Sequence, residues 1–85
     1  MDAVAIGDVL EEVANRNPHV ARQIDELTWS MYRNSTLRRG FSKIFNQLDP
    51  WWEVFLLDAL KQYGVHGTEQ WLREVHRRPG IPHMP

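Results

Sequence analysis

Helical spacing of the apolar residues, interrupted at short intervals, is the feature that most constrains the fold of this chain. The interruptions fall at Asn17-Pro18, Asn34-Ser35-Thr36, Asp49-Pro50, Gly64, Gly67-Thr68 and Pro79-Gly80. Between them apolar residues recur three or four positions apart, as on one face of a helix, and no stretch alternates like a strand. The 85 residues, 42% of them hydrophobic, suffice for one small core. We therefore predict an all-α, compact domain of five to six short helices in an orthogonal or Greek-key arrangement.

Two helices are predicted before residue 28. The first carries one apolar stripe: Ile6, Val9, Leu10, Val13 and Ala14. Asn17 is expected to be the N-cap of the second helix, with Pro18 at its first position, where a missing N–H is tolerated. Residues 28–33 (TWSMYR) leave two alternatives open. They form either a short third helix or a turn that carries Trp29 and Met31 into the core.

The next helix is predicted to start at Asn34, Ser35 or Thr36, all of which can cap a helix. Its apolar positions follow at helical spacing: Leu37, Phe41, Ile44, Phe45 and Leu48. Gly40 lies inside this helix, where glycine lowers helix propensity by roughly 1 kcal/mol relative to alanine. We expect it to allow a neighbouring helix to approach closely.

The stretch DPWWEVFLLDAL begins another helix, with Asp49 as cap and Pro50 at the first position. Its consecutive apolar residues are typical of a central helix. The predicted core positions are Trp51, Phe55 and Ala59, with Val54, Leu57 and Leu60 beside them. Neighbouring residues on a helix point about 100° apart, so Trp52 is predicted to face the surface.

Glycines mark the end of this helix and the start of the last one. Gly64 is predicted to be a C-cap in the left-handed conformation. Gly67-Thr68 is expected to start the last helix, whose apolar positions are Trp71, Leu72 and Val75. We predict a single domain over residues 1–78, followed by a flexible tail over 79–85.

The charges are unevenly distributed along the chain. The net charge is −1, yet residues 1–15 contain four acids and no base, whereas residues 16–48 contain six bases and two acids. Opposite patches of this kind favour contact with a complementary protein surface. They support nucleic-acid binding less, because that usually requires a more one-sided basic surface.

Several kinds of chemistry find little support in the sequence. There is no cysteine, and the four histidines do not form HxxxH or HExxH, so we expect no metal site and no cofactor. Adjacent carboxylates point apart on a helix, and no serine stands in a nucleophile-elbow context. No apolar run approaches the ~20 residues that cross a bilayer. The chain is therefore predicted not to be an enzyme or a membrane protein, and its lack of cysteine fits the cytoplasm.

A basic cluster is the main candidate binding site. Arg39 and Lys43 are four residues apart and share a helix face, and Arg38 lies beside them. Arginine suits bidentate contact with carboxylates or phosphates. Asp25 and Glu26 form the obvious acidic counterpart.

Residues 39–75, RGFSKIFNQLDPWWEVFLLDALKQYGVHGTEQWLREV, resemble the fourth to sixth helices of caspase recruitment domains, a branch of the death fold. The likeness is greatest to those of cytosolic RNA-sensing helicases and their mitochondrial adaptor. In that pattern a helix end and a break precede a tryptophan, a Phe-Leu…Ala-Leu run, a glycine loop and a last helix. The matching residues are Phe45 and Leu48, Trp51 or Trp52, Phe55-Leu56 with Ala59-Leu60, and the loop 64–68. The death-effector and death-domain branches stay open.

The resemblance implies a six-helix Greek-key bundle that binds other CARD or death-fold domains through opposed charged patches, often as helical oligomers. The basic patch is usually on the first and fourth helices and the acidic patch on the second and third. The predicted partner-binding residues are Arg16, Asp25, Glu26, Arg38, Arg39, Lys43 and Trp52. The first helix departs from this pattern, since Asp8, Glu11 and Glu12 are acidic where a base is common.

The predicted function is a CARD-like homotypic interaction module that regulates apoptotic or innate immune signalling. A domain that begins at Met1 without an effector resembles a stand-alone decoy or a viral mimic. Two alternatives are kept: a small helical nucleic-acid-binding regulator of viral or phage origin, and an assembly subunit whose tryptophans form an apolar dimer face.

Overall fold

The computed structural model describes residues 1–77, which form a helical bundle around one core. The helices are α1 (Ala3–Arg16), α2 (Ala21–Arg33), α3 (Ser35–Ile44) and α4 (Trp51–Arg77), with a 3₁₀ turn at Pro18–Val20 before α2. No strand occurs among the described residues, which confirms the all-α prediction. The predicted domain end at residue 78 and the tail at 79–85 lie outside this range.

Helix α4 is bent at Gly64. The glycine has φ 73° and ψ −174°, a conformation that only glycine adopts readily. The positive φ agrees with the predicted stop at this residue, although ψ is extended rather than left-handed helical. We call residues 51–63 the first limb of α4 and residues 65–77 the second limb, which begins before the predicted start at Gly67.

The predicted count of five to six helices in a Greek key is not confirmed. Residues 1–77 contain four helices, or five if the limbs of α4 are counted separately. The ambiguous residues 28–33 continue α2, because Met31 extends the buried stripe of that helix. A separate third helix is therefore not formed, and Trp29 stays on the surface.

Two of the predicted caps are confirmed. The Oδ1 atom of Asn34 accepts hydrogen bonds from the N–H groups of Thr36 (3.0 Å) and Leu37 (3.4 Å) at the start of α3. The Oδ1 atom of Asp49 accepts one from the N–H of Trp51 (3.0 Å) at the start of α4. Each contact satisfies a donor that the first turn of a helix leaves unpaired.

The predicted N-cap role of Asn17 is wrong. Its side chain makes no cap bond to the 3₁₀ turn that follows. The amide nitrogen instead donates to the carbonyl of Val13 (2.9 Å), so Asn17 satisfies the end of α1 rather than the start of α2. The tight turn at Pro18–Val20 separates it from the first residue of α2.

Helix α3 lies against both limbs of α4 and so positions the two halves of that helix. Trp52 of the first limb makes edge contacts with Phe41 and Phe45, at ring-centroid distances of 5.8 and 5.0 Å. Gly40 faces the backbone of Leu72 in the second limb, which confirms the predicted close approach. The core is completed by α1 and α2 through Ile6, Leu10, Val13, Ile24, Leu27 and Met31.

The predicted orientation of the two tryptophans is wrong. Trp51 is 61% exposed, whereas Trp52 is 8% exposed. The buried positions of the first limb are Trp52, Leu56, Ala59 and Leu60. The apolar run 54–57 allowed two neighbouring faces to be buried, and the aromatic rings of α3 select the face that contains Trp52.

Leu48 is also displaced from its predicted core position. Helix α3 ends at Ile44, because Phe45 adopts an extended backbone with ψ 127°. Leu48 consequently lies in the connection to α4 and is 94% exposed.

Candidate functional site

The predicted basic cluster on α3 is partly engaged in hydrogen bonds within the molecule. Nη1 of Arg38 donates to the backbone carbonyls of Met31 (2.7 Å) and Tyr32 (3.2 Å). These carbonyls belong to the last turn of α2, where helical partners are missing and a cation suits the helix dipole. Arg38 therefore ties the end of α2 to α3.

Lys43 makes the equivalent contact with the end of α4. Its Nζ donates to the carbonyls of Val75 (3.2 Å) and His76 (2.8 Å). Of the three predicted basic residues, Arg39 has an exposed side chain without such a capping role among the described contacts. Arg38 and Arg39 together border a hollow that is also lined by Met1, Asp2 and Tyr32. We call Arg38 and Arg39 the basic rim.

Arg16 joins α1 to α4. Its guanidinium forms an ion pair with Glu53 and a weaker one with Glu12 at 3.9 Å. The hydrogen bond with Glu53 raises the pKa of Arg16, and the nearby carboxylate charges act in the same direction. Glu53 also accepts from the amide of Asn17 at 3.4 Å. The predicted partner-binding residue Arg16 is thus engaged in an internal contact.

An acidic groove lies between α1 and α2. It has a volume of about 580 Å³ and is bordered by the carboxylates of Asp8, Glu11 and Asp25. No lysine, arginine or histidine is among the residues that line it. The predicted acidic residue Asp25 therefore has two acidic neighbours from α1. We call Asp8, Glu11 and Asp25 the acidic groove.

Glu26 does not join this groove. It lies beside Trp29, Ser30 and Arg33 around a separate small hollow on α2. Consecutive residues on a helix point about 100° apart, so the side chains of Asp25 and Glu26 lie on different surfaces. The acidic pair predicted as one patch is split.

An exposed aromatic pair adjoins the acidic groove and the basic rim, and its tyrosine lies between them. Trp29 and Tyr32 are 64% and 45% exposed, and their ring centroids are 6.1 Å apart. Tyr32 borders the acidic groove on one side and the hollow of the basic rim on the other. Groove, aromatic pair and rim therefore form one continuous surface.

A second apolar surface lies at the start of α4. Trp51 and Val54 are three positions apart on the same face, and both are at least half exposed. The exposed Leu48 precedes them in the connection from α3. Trp52, predicted to contact a partner, is buried behind this surface, so Trp51 is the tryptophan available there.

Sequence reasoning missed four residues of the acidic and aromatic surface as site residues: Asp8, Glu11, Trp29 and Tyr32. A signal for the acids was present, because Asp8 and Glu11 are three positions apart and lie opposite the apolar stripe of α1. Their proximity to Asp25 could not be read, because it depends on how α1 packs against α2. Tyr32 was missed because the sequence of residues 28–33 allowed either a short helix or a turn.

Residues 1–77 contain no group of three or more histidine, aspartate or glutamate side chains placed to hold a metal ion. No helix in the same range combines the length and apolar character needed to cross a membrane.

Comparison with known proteins identified no relative of this chain. No family model matches the chain, and neither a curated protein nor a solved structure with significant similarity was found.

Proposed function

We propose that the chain is a CARD-like, non-catalytic protein-interaction module that binds domains of its own kind, including further copies of itself, in apoptotic or innate immune signalling in the cytoplasm. The proposal rests on the resemblance of residues 39–75 and on one structural observation. That observation is the continuous surface formed by the acidic groove, the aromatic pair and the basic rim.

Each part of this surface has a clear role in binding a similar domain. The acidic groove offers three carboxylates and no base to the cations of a partner. The basic rim offers Arg39, whose side chain is exposed. The exposed Tyr32 between them, with Trp29 beside it, suits the centre of an interface, where aromatic residues often dominate the binding energy.

The adjacency of the two charged parts favours a two-fold pairing. In a symmetric dimer the same surface is used twice, so Arg39 of each copy can face Asp25 of the other. The two Tyr32 side chains then meet near the symmetry axis, because Tyr32 lies between the groove and the rim. Patches on opposite sides of the domain would instead favour an open chain of copies.

The nucleic-acid alternative receives less support from the contacts. Arg16 pairs with Glu53, and Arg38 and Lys43 bind backbone carbonyls at helix ends. These three residues account for half of the bases in segment 16–48. Phosphate binding depends on clustered cations that are free to replace counterions.

A charge-exchange experiment tests the proposal. Self-association of the wild type is measured by sedimentation equilibrium at low salt and compared with Arg39→Glu and Asp25→Arg. Each single variant should lose association, because each places like charges opposite one another at both contacts of the pair. Mixing the two variants should restore a heterodimer, because the exchanged charges and the native charges then attract.

Trp51→Glu is the matched control, since Trp51 is exposed on the other surface. It should leave association unchanged. Association that survives Arg39→Glu, or that is lost only in Trp51→Glu, contradicts the proposed surface and favours the tryptophan face. A wild type that stays monomeric at millimolar concentration contradicts self-binding. Tight, steeply salt-dependent binding of DNA or RNA would support the nucleic-acid alternative.

The signalling role requires a test in cells. Co-expression with an innate-immune or apoptotic reporter should change its output for the wild type, and Arg39→Glu should abolish the change. An equal effect of both proteins contradicts a role for the basic rim in signalling.

A further inference from the structure

The bend of α4 depends on two glycines, and each is needed for a different reason. Gly64 has a positive φ with an extended ψ, which an L-residue with a side chain adopts only with strain. At Gly67 a Cβ would stand 2.3 Å from the Cβ of Tyr63, a distance that real side chains do not reach. Alanine at either position therefore disfavours the bent form.

A straight helix has neither restriction. Residues four apart on a regular helix have Cβ atoms about 5–6 Å apart, so alanine at position 67 does not clash with Tyr63 there. Alanine is also the best helix former and glycine among the poorest. The hydrogen bond from Thr68 Oγ1 to the carbonyl of Gly64 (2.7 Å) joins residues four apart, as threonine side chains do within regular helices.

The surface that receives the second limb is formed by α2 and α3. Leu72 packs against Gly40, Ser30 Oγ donates to Glu69 Oε1 at 2.8 Å, and Lys43 binds the last carbonyls of the limb. Only Gly64 separates this limb from the first one. A copy with a straight α4 can therefore place its second limb on the same surface of a second copy and keep all these contacts.

We propose that Gly64 and Gly67 form a hinge through which two copies of the chain exchange residues 65–77. The resulting dimer contains a straight α4 in each copy, and the receiving surface of each copy is occupied by the second limb of the other. Exchange of residues 65–77 involves neither the acidic groove nor the basic rim. This proposal is therefore tested independently of the proposed function.

The decisive variant is Gly64→Ala with Gly67→Ala. In each of the two copies the straight helix relieves the strained backbone at position 64 and the contact with Tyr63 at position 67, so dimerisation should tighten by at least about 100-fold. Light scattering coupled to size-exclusion chromatography should show twice the 10.0 kDa monomer mass. Gln70→Ala, which places an alanine at an exposed position of the second limb away from the bend, is the control and should leave the mass unchanged. Arg39→Glu in the double-alanine background excludes dimerisation through the basic rim.

Crosslinking distinguishes exchange from ordinary association. The chain has no cysteine, so Ser30→Cys and Glu69→Cys can be introduced singly into two double-alanine chains. The chains are mixed, unfolded, refolded together and treated with a short bismaleimide. A covalent heterodimer is expected, because α2 of one copy then faces the second limb of the other. A folded double-alanine variant that stays monomeric, or a dimer without this crosslink, overturns the proposal.

Should the double-alanine variant not fold, the same two cysteine substitutions are placed in the wild-type background. After refolding at millimolar concentration, a minor crosslinked heterodimer is expected. Complete absence of the heterodimer, while a chain with both cysteines crosslinks within itself, overturns the proposal as well.

Discussion

Gly40 of α3 lies directly against the backbone of Leu72 in α4, so that a Cβ at Gly40 would stand 2.1 Å from the Leu72 carbonyl oxygen. The contact holds the second limb of α4 against α3 with no room for a side chain between them. Because the obstructing atom belongs to the backbone, the clash with a Cβ at position 40 cannot be relieved by rotating a side chain. The close approach is the main reason why glycine is required inside this helix.

Gly40→Ala should lower the free energy of unfolding by about 1–2 kcal/mol. Overpacking at a rigid contact typically costs about 1–3 kcal/mol or more, which exceeds the roughly 1 kcal/mol that alanine adds to helix propensity. Urea denaturation followed by circular dichroism measures the change. Gly7→Ala is the control, because its Cβ would meet only the Tyr32 side chain, nearest at the hydroxyl (3.0 Å), and that side chain can move. Equal stability of Gly40→Ala and wild type would contradict the close approach.

Trp52→Ala should destabilise the domain by about 3–5 kcal/mol, the usual effect of removing a buried aromatic ring. The ring lies edge-on to Phe41 and Phe45. Trp51→Ala should change stability by less than about 0.5 kcal/mol, as is usual for an exposed position. Chemical denaturation followed in the far ultraviolet compares the two variants. A larger loss for Trp51 than for Trp52 would restore the orientation predicted from sequence.

Lys43→Met and Arg38→Met should each reduce the free energy of unfolding by about 1 kcal/mol. Each removes charged hydrogen bonds to carbonyls at a helix end, while methionine retains much of the apolar stem. Arg39→Met is the matched control and should stay within about 0.5 kcal/mol of wild type. Thermal melts of the three variants check this. Equal losses at all three positions would show that the basic residues act only through general surface charge.

The Arg16–Glu53 pair should give a coupling free energy of about 0.5–1 kcal/mol in a double-mutant cycle with alanine. The value is modest because the Arg16 side chain is 53% exposed to solvent. The folded-state pKa of Arg16 is raised, so its contribution is present at neutral pH and is lost only as the pH rises through that pKa. Repeating the cycle in 1 M salt should reduce the coupling. Coupling that is absent at low salt would indicate that the pair does not join α1 to α4.

The starts of α3 and α4 were predictable because they depend on residues that are close in sequence. Asn34 and Asp49 accept bonds from N–H groups two or three residues away, and such contacts form wherever the local pattern occurs. The bend at Gly64 was predictable for the same reason. Asn17 shows the limit of this reasoning, because two neighbouring helix ends competed for one side chain.

Positions within the helices were less predictable where several faces are apolar. The spacing in α1 admits one buried face, and Ile6, Leu10 and Val13 occupy it. The run 54–57 in α4 admits two, and the rings of Phe41 and Phe45 determine that Trp52 turns inward. The identity of the exposed tryptophan therefore depended on a contact between helices.

The amino-acid sequence by itself determined that residues 1–77 are helical, where α3 and α4 begin, and that α4 stops being regular at Gly64, because these properties arise from local backbone preferences. Only the tertiary structure decided that Asp8 and Glu11 join Asp25, that Arg38 and Lys43 bind carbonyls of other helices, and which tryptophan is buried. These properties depend on how helices pack against one another, and residues far apart in the chain carry no local signal of that packing.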